Sequence, residues 1–244
     1  IMLRSTASAR TRLDVRRLEP ELMDDPALDE ADHRRALQAL SRVHRLSGTG
    51  VRLRRVLDAI AARRPSDRPL RVLDVACGGG DAALDMAEWG RRRGREIRVT
   101  GLDLSRTALA VAQERATRRG LEVEWRCGDA LRELPHGPFD LIHSSLFLHH
   151  LHESEVGLLL AEMASRTDRI HVEDLRRSPL GLALAWTTLR LVSRSRVAHV
   201  DGPRSVRAAW SRGELEEIAS AAGLSGMQIR RGWPERWILG WARR

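Results

Sequence analysis

The chain is predicted to fold as an α/β protein with a doubly wound, mostly parallel seven-stranded sheet, N-terminal helices and an antiparallel C-terminal hairpin. Three observations predict it. From residue 70 onward, short β-rich runs alternate with helical segments, the pattern of parallel βαβ units. A hydrophobic run ends in Gly78-Gly79-Gly80 and opens into a helix, as in ligand-binding βα turns. Near the end, a Gly-Trp-Pro stretch separates two apolar runs, which reads as a hairpin turn.

The elements follow in order. Between about Asp24 and Arg64, Leu37, Leu40 and Val43, then Val51, Leu53, Val56, Leu57 and Ile60, recur at helical spacing, and Gly48 and Gly50 divide this stretch into two helices. Residues 1–66 are read as a helical extension covering the site, and 67–244 as the main domain. After the Pro65 to Pro69 linker, strands are expected at Arg71–Val75, Ile97–Leu102, Val123–Arg126, Phe139–Ser144 and Arg169–Glu173, with the hairpin at Met227–Arg230 and Arg236–Trp241. Ser211 followed by Glu214 is a capping-box signature for a last helix, which Gly223 should end. The segment at about 175–210 is then an insertion, apolar from Leu180 to Trp186 and again at Leu189 and Leu191, suited to a lid.

Composition narrows the chemistry. The 244 residues suffice for one large domain. All 42 basic residues are Arg, and Lys, Tyr and Asn are absent, which excludes Lys Schiff bases, a phosphate-loop Lys and a Tyr/Lys dehydrogenase pair. The net charge of +9 comes from Arg scattered among 33 acids, so no specific nucleic-acid partner is expected. Two cysteines, Cys77 and Cys127, have neither metal-ligand nor disulfide spacing; a reducing cytoplasm and no metal are the expectation. No apolar run approaches the ~20 residues of a membrane span. The residues through Arg12 are rich in Arg, Ser and Thr without acids, which faintly resembles a transit peptide; a frayed bacterial N-terminus is the simpler reading.

The chemistry centres on Asp74-Val75-Ala76-Cys77-Gly78-Gly79-Gly80-Asp81. Glycines let a ligand approach the backbone N–H groups beside a helix N-terminus. Gly78, Gly80 and Ala83 also satisfy the dinucleotide fingerprint, and Asp103, ending the next strand, could bind a ribose in either reading. Two acids separate the readings: Asp74 ends the first strand, and Asp129 follows the third, beside Ala130.

With these residues the sequence from about Leu70 resembles the class I S-adenosylmethionine-dependent methyltransferases, particularly the small-molecule group that includes quinol and polyketide-tailoring enzymes. The resemblance implies a Rossmann-like fold and S-adenosyl-L-methionine as cofactor. It implies that Asp74 lies near the methionine moiety, that Asp103 accepts from both ribose hydroxyls, and that Asp129 meets the adenine amino group. Leu104 would pack on the adenine face and the Ala130 N–H would face the ring; Gly78, Gly80 and Ser145 complete the expected cofactor wall. Ala76 departs from the family, which usually has glycine there.

For the acceptor, the run after the fourth strand, Leu146-Phe147-Leu148-His149-His150-Leu151, is similar to the family's post-strand segment and lacks the Asn/Asp-Pro-Pro-aromatic motif of many N-methyltransferases. His149 or His150 is the expected base for a hydroxyl, because imidazole titrates near neutrality, with Glu173 as the alternative. Glu173 and Asp174 could instead pair with Arg176 or Arg177. His199 and Asp201 could anchor an acceptor or serve as helix-capping turns. The expected function is O- or C-methylation of a small apolar or aromatic acceptor, phenolic, quinol or polyketide, in secondary metabolism. A nucleotide-cofactor oxidoreductase and an RNA methyltransferase are the alternatives.

Overall fold

The computed structural model describes residues 13–65 and 67–243; the transit-like segment through Arg12 lies outside them. Strands β1 (Leu70–Val75), β2 (Ile97–Asp103), β3 (Glu124–Cys127), β4 (Leu141–Ser145), β5 (Arg169–Leu175), β6 (Gln228–Gly232) and β7 (Arg236–Ala242) form one sheet. Its order is β3-β2-β1-β4-β5-β7-β6. The first five strands are parallel, and β7 runs antiparallel between β5 and β6. The order reverses beside β1, so the ends of β1 and β4 flank the switch point where such sheets bind ligands.

Alternation along β1 shows why both faces need helices. Leu70 and Val72 pack with Leu53 and Leu57 of α2 (Thr49–Ala61) and with Leu84 and Trp89 of α3 (Asp81–Arg93). Leu73 and Val75 point the other way, to Leu160 and Met163 of α5 (Glu153–Arg166) and Leu215 and Ile218 of α8 (Arg212–Ala221). The fourth helix, α4 (Arg106–Arg119), begins at an Ser105 cap that accepts from the Ala108 N–H. As predicted, Ser211 and Glu214 form a reciprocal capping box on α8, worth ~1 kcal/mol.

Strand limits differ from expectation where polar groups intervene. β4 starts two residues later than predicted because the Asp140 carboxylate turns back to accept from the Arg71 N–H at 2.9 Å and pairs with Arg64 and Arg68. Phe139 keeps only an isolated bridge to Thr167. β5 runs longer than predicted, since β7 pairs with it as far as Leu175↔Arg236.

The insertion consists of α6 (Pro179–Val192) and α7 (Arg196–Ala208). Proline in the first turn of α6 is tolerated because that N–H lacks an intrahelical partner. His199 lies at the α6–α7 junction, with Nε2 2.8 Å from the Ser193 carbonyl and 3.1 Å from that of Leu189. Helix α1 (Glu30–Ser47) packs here, Ala39 meeting Leu189 and Ala198. Gly48, at φ +70°, separates α1 from α2. Gly50, expected to share in the break, is instead the second residue of α2. Among the described residues no helix is long and apolar enough to cross a membrane.

Candidate active site

At the carboxyl ends of the strands lies a cavity of about 950 Å³. Its wall begins with the turn after β1, crosses the ends of β2 and β3, and continues past β4 to α1, α6 and α7.

On the β1–β3 side, the Gly78 N–H donates to Asp103 Oδ2 at 2.7 Å, and the Ser105 N–H donates to Asp103 Oδ1 at 2.8 Å. These bonds fix both the turn and the carboxylate that ends β2. Burial pushes the Asp103 carboxyl up from its usual range, against the two N–H groups that favour its charge. Ala76, Gly78, Leu104, Asp129, Ala130 and Ser145 line the cavity with it. Asp129 Oδ1 accepts from the Leu131 N–H at 2.9 Å, which holds the acid at the turn after β3.

The glycines differ in purpose. Gly78, at φ +52°, faces open cavity: a Cβ there would meet only Leu37 Cδ2, at 4.0 Å. Gly80, at φ +78°, is pressed against protein, since a Cβ would lie 2.7 Å from Trp125 and 2.9 Å from Ala112. It does not line the cavity. Ala76 adopts φ +53°, a left-handed conformation costing roughly 1–2 kcal/mol for a residue with a Cβ.

Asp74 lies behind this turn rather than on the wall. It is 1% exposed, and its Oδ2 finds no hydrogen-bond partner among the described residues. Burial pushes its carboxyl up to about 8; the Ala83 N–H opposes the shift and the Asp103 and Asp81 carboxylates reinforce it.

On the β4–β5 side the predicted acceptor residues separate into three situations. His149 is buried, its Nδ1 2.6 Å from Asp174 Oδ1 and its backbone N–H donating to Asp174 Oδ2 at 2.9 Å. Asp174 thus fixes the ring, which turns Nε2 toward Glu21, 3.7 Å away. His150 stacks near it with ring centroids 4.3 Å apart and holds Asp24 through Nδ1 at 3.1 Å. Burial would lower its pKa, but Asp24, Glu21 and Asp174 outweigh that and push it up to about 9. The carboxylates around it thus favour the protonated ring of His150, which sets it apart from its neighbour His149.

Glu173 requires a correction, because it is not on the cavity wall. Its Oε1 accepts from Arg52 Nε at 2.9 Å, and its Oε2 from Thr49 Oγ1 at 2.8 Å and from Arg52 Nη2 at 2.5 Å. Burial would raise its pKa, yet the Arg52 guanidinium with His171 and His143 holds it down at about 2. It is the buried half of an ion pair joining α2 to β5. Arg176 and Arg177, its expected partners, bind Glu235 and Glu214 instead.

Several wall residues carried no signal in the sequence. Glu21 and Asp24 belong to a 3₁₀ turn (Leu22–Asp24) and the residue before it, which Asp201 anchors by accepting from the Leu22 and Met23 N–H groups at 2.8 and 3.0 Å. Asp201 therefore caps this turn from α7. His33 and Leu37 of α1 also line the cavity, and only Leu37 belonged to a visible apolar stripe.

Comparison with known proteins fits this geometry. A family described as a methyltransferase domain matches residues 72–168. A ubiquinone biosynthesis O-methyltransferase of Pseudomonas putida (strain W619) is 31% identical over 164 residues, covering 64% of this chain and 68% of that protein. The chain belongs to the class I S-adenosylmethionine-dependent methyltransferases.

Other relatives of the chain match over shorter stretches. The ubiquinone biosynthesis O-methyltransferase of Chromobacterium violaceum is 38% identical over 88 residues, 35% of each chain. The demethylmenaquinone methyltransferase of Thermus thermophilus is 44% identical over 75 residues, 30% of this chain and 32% of that one. Each match thus spans about a third of that relative's length. A solved S-adenosylmethionine-dependent methyltransferase from Aquifex aeolicus shares the fold with TM-score 0.57 and 18% identity, covering 88% of this chain and 98% of that one. Magnesium protoporphyrin IX methyltransferase from Synechocystis PCC 6803, with bound S-adenosylhomocysteine, does so with TM-score 0.55 and 19% identity, covering 81% and 84%. The cavity fits the family's cofactor: Gly78 leaves room at the turn where a Cβ would project, and the buried Asp74 Oδ2, at the end of the strand leading into that turn, has no hydrogen-bond partner among the described residues.

Proposed function

We propose that this methyltransferase transfers the sulfonium methyl of S-adenosylmethionine to an oxygen or activated carbon of a small, largely apolar acceptor, phenolic, quinol-like or polyketide. One observation carries the reading: one cavity joins the Gly78–Asp103–Asp129 side to a chamber that combines apolar residues of α1 and α6 with the polar cluster of Glu21, His149 and His150. At about 950 Å³ it is at the top of the ~300–1,000 Å³ range of small-molecule sites, suited to two ligands held side by side.

Asp103 would accept from the ribose hydroxyls, Asp129 and the Ala130 N–H would meet the adenine, and Leu104 would cover its face. Asp74 would act on the methionine end from behind the turn, its free Oδ2 answering an ammonium group. Gly78 and Ser145 would complete this wall, with Gly80 supporting the turn against Trp125. When bound, the cofactor supplies the electrophilic methyl. The chain's share is to align the acceptor and keep water out, and much of the rate comes from such positioning. Leu40 and Val43 of α1 with Leu184 and Leu189 of α6 would hold the acceptor's apolar body. A hydroxyl would lie toward His149, Glu21 and His150, the polar patch where its proton would be lost.

The names of the quinone-pathway relatives support this acceptor class. The test is incubation of purified protein with S-adenosylmethionine and a panel of phenols, quinols and polyketide fragments, read by mass spectrometry. Addition of one methyl to one class supports the reading. Binding of S-adenosylhomocysteine with no methylation across the panel would overturn the acceptor class.

A further inference from the structure

We propose that Glu21, His149 and His150 form a binding site for one divalent transition-metal cation of the zinc class on the acceptor side of the cavity. The inference rests on the reading of that side as the acceptor chamber.

The donor set comes first. One ligand atom from each residue lies within 4.8 Å of the other two. Nε2 of His149 is 3.7 Å from Glu21 Oε1, and Nε2 of His150 is 3.9 Å from Glu21 Oε2. A tetrahedral ion with bonds near 2.0–2.1 Å needs its ligands about 3.4 Å apart; separations within 4.8 Å put the three donors in reach of one ion once the Glu21 carboxylate and the two rings close in on it. Two imidazoles and one carboxylate favour Zn²⁺, Co²⁺, Mn²⁺ or Fe²⁺ over Ca²⁺ or Mg²⁺.

The surroundings make the argument specific. A metal-bound imidazole usually has its other nitrogen held by a carboxylate or carbonyl, which fixes the ring and strengthens the ligand. Both histidines have that arrangement: His149 Nδ1 is 2.6 Å from Asp174, and His150 Nδ1 is 3.1 Å from Asp24. Glu21 is in turn steadied by the Ser205 hydroxyl. The Asp174, Asp24 and Glu21 carboxylates converge on the two imidazoles, and the Arg16 guanidinium donates to the His149 and Leu151 carbonyls beside them.

The three ligands leave a coordination position open, as in catalytic rather than structural sites, and all three line the cavity. An acceptor oxygen could occupy that position, which would favour hydroxyl, catechol or enol acceptors over hydrocarbons.

Chelator-stripped full-length protein should bind Zn²⁺ at one equivalent by calorimetry, and Co²⁺ should give the visible absorption of a low-symmetry site. His149→Ala and the conservative Glu21→Gln should each weaken binding at least tenfold. Asp174→Asn, which removes only the positioning partner of His149, should weaken it roughly 10–100-fold. His136→Ala, at an exposed histidine elsewhere, should leave stoichiometry and affinity unchanged. S-adenosylhomocysteine binding is measured on the same samples. If the protein binds it but takes up no Zn²⁺, or if Zn²⁺ binding survives Glu21→Gln and His149→Ala, the metal site is wrong and the methyltransferase reading stands. Failure to bind S-adenosylhomocysteine with or without metal would overturn the cofactor reading instead.

Discussion

Gly78 and Asp103 are joined by a 2.7 Å hydrogen bond from the backbone of one to the carboxylate of the other, so the turn after β1 and the end of β2 move as one unit. Asp103→Ala should therefore remove both the ribose acceptor and the clasp on the turn. Calorimetry should show S-adenosylhomocysteine affinity reduced by ~2–3 kcal/mol, the scale of hydrogen bonds to a charged group. Unchanged affinity in a folded variant would refute the ribose role.

The neighbouring glycines should respond in opposite ways. Gly78→Ala puts a methyl into the cavity with no protein atom nearer than 4.0 Å, so cofactor affinity should fall while stability drops by only the ~1–2 kcal/mol of a left-handed backbone. Gly80→Ala, blocked by Trp125 and Ala112, adds overpacking of ~1–3 kcal/mol to the same strain. Urea denaturation should rank Gly80→Ala as the less stable; the reverse order would contradict this division.

At Ala76 the strain can be relieved. Glycine there recovers the roughly 1–2 kcal/mol left-handed cost and loses about 0.4–1 kcal/mol through a freer unfolded chain. Ala76→Gly should thus be up to ~1.6 kcal/mol more stable, seen as a higher denaturation midpoint. A clear loss of stability would mean that the methyl packs usefully.

Glu173→Gln should act through folding. It leaves the Arg52 guanidinium unpaired and mostly buried, at a cost of ~3–5 kcal/mol. Because the folded carboxyl sits near 2 and its ordinary value is 4.5, wild-type stability from this pair is complete above about 4.5 and is lost as pH falls toward 2. The variant should show a flatter acid limb in thermal melts. Reduced turnover with wild-type stability would restore Glu173 as a catalytic candidate.

Asp74 has the opposite sign. Its carboxyl is raised to about 8 from 3.8, so between those values the native state keeps a proton that the unfolded chain has released, and stability falls as pH rises. Asp74→Asn lacks that titration and should gain on wild type by up to ~1.4 kcal/mol per pH unit across this window in the cofactor-free protein. Parallel melting profiles from pH 5 to 8 would show that Asp74 is ionised throughout.

These residues also show what a sequence can reveal. The turn glycines, Asp103 and Asp129 are each set by a strand end and the few residues after it, so local order in the chain exposes them. The central strands were legible for the same reason, since β1 and β4 show their own apolar runs, whereas edge strands β3 and β6 are mostly polar and were read from their place between turns. Glu173 was misplaced because its partner Arg52 is 121 residues away, and strand position alone cannot tell a cavity wall from a buried pair. The contact between Asp24 and His150 spans 126 residues and leaves no ligand spacing to read. Neighbouring His149 and His150 look equivalent in sequence, and only the carboxylates brought to them by other elements make them differ.

The position of Asp201 has a consequence for the order of synthesis. This residue of α7 holds the 3₁₀ turn at Leu22 from 179 residues downstream, and the α1 stripe rests against α6 and α7. The turn at Leu22, whose neighbours line the chamber, is synthesised before Asp201 and gains this anchor only after α7 has been made. Until the residues around 201 emerge, α1 has only part of its final support, because Ala39 packs on Leu189 and Ala198.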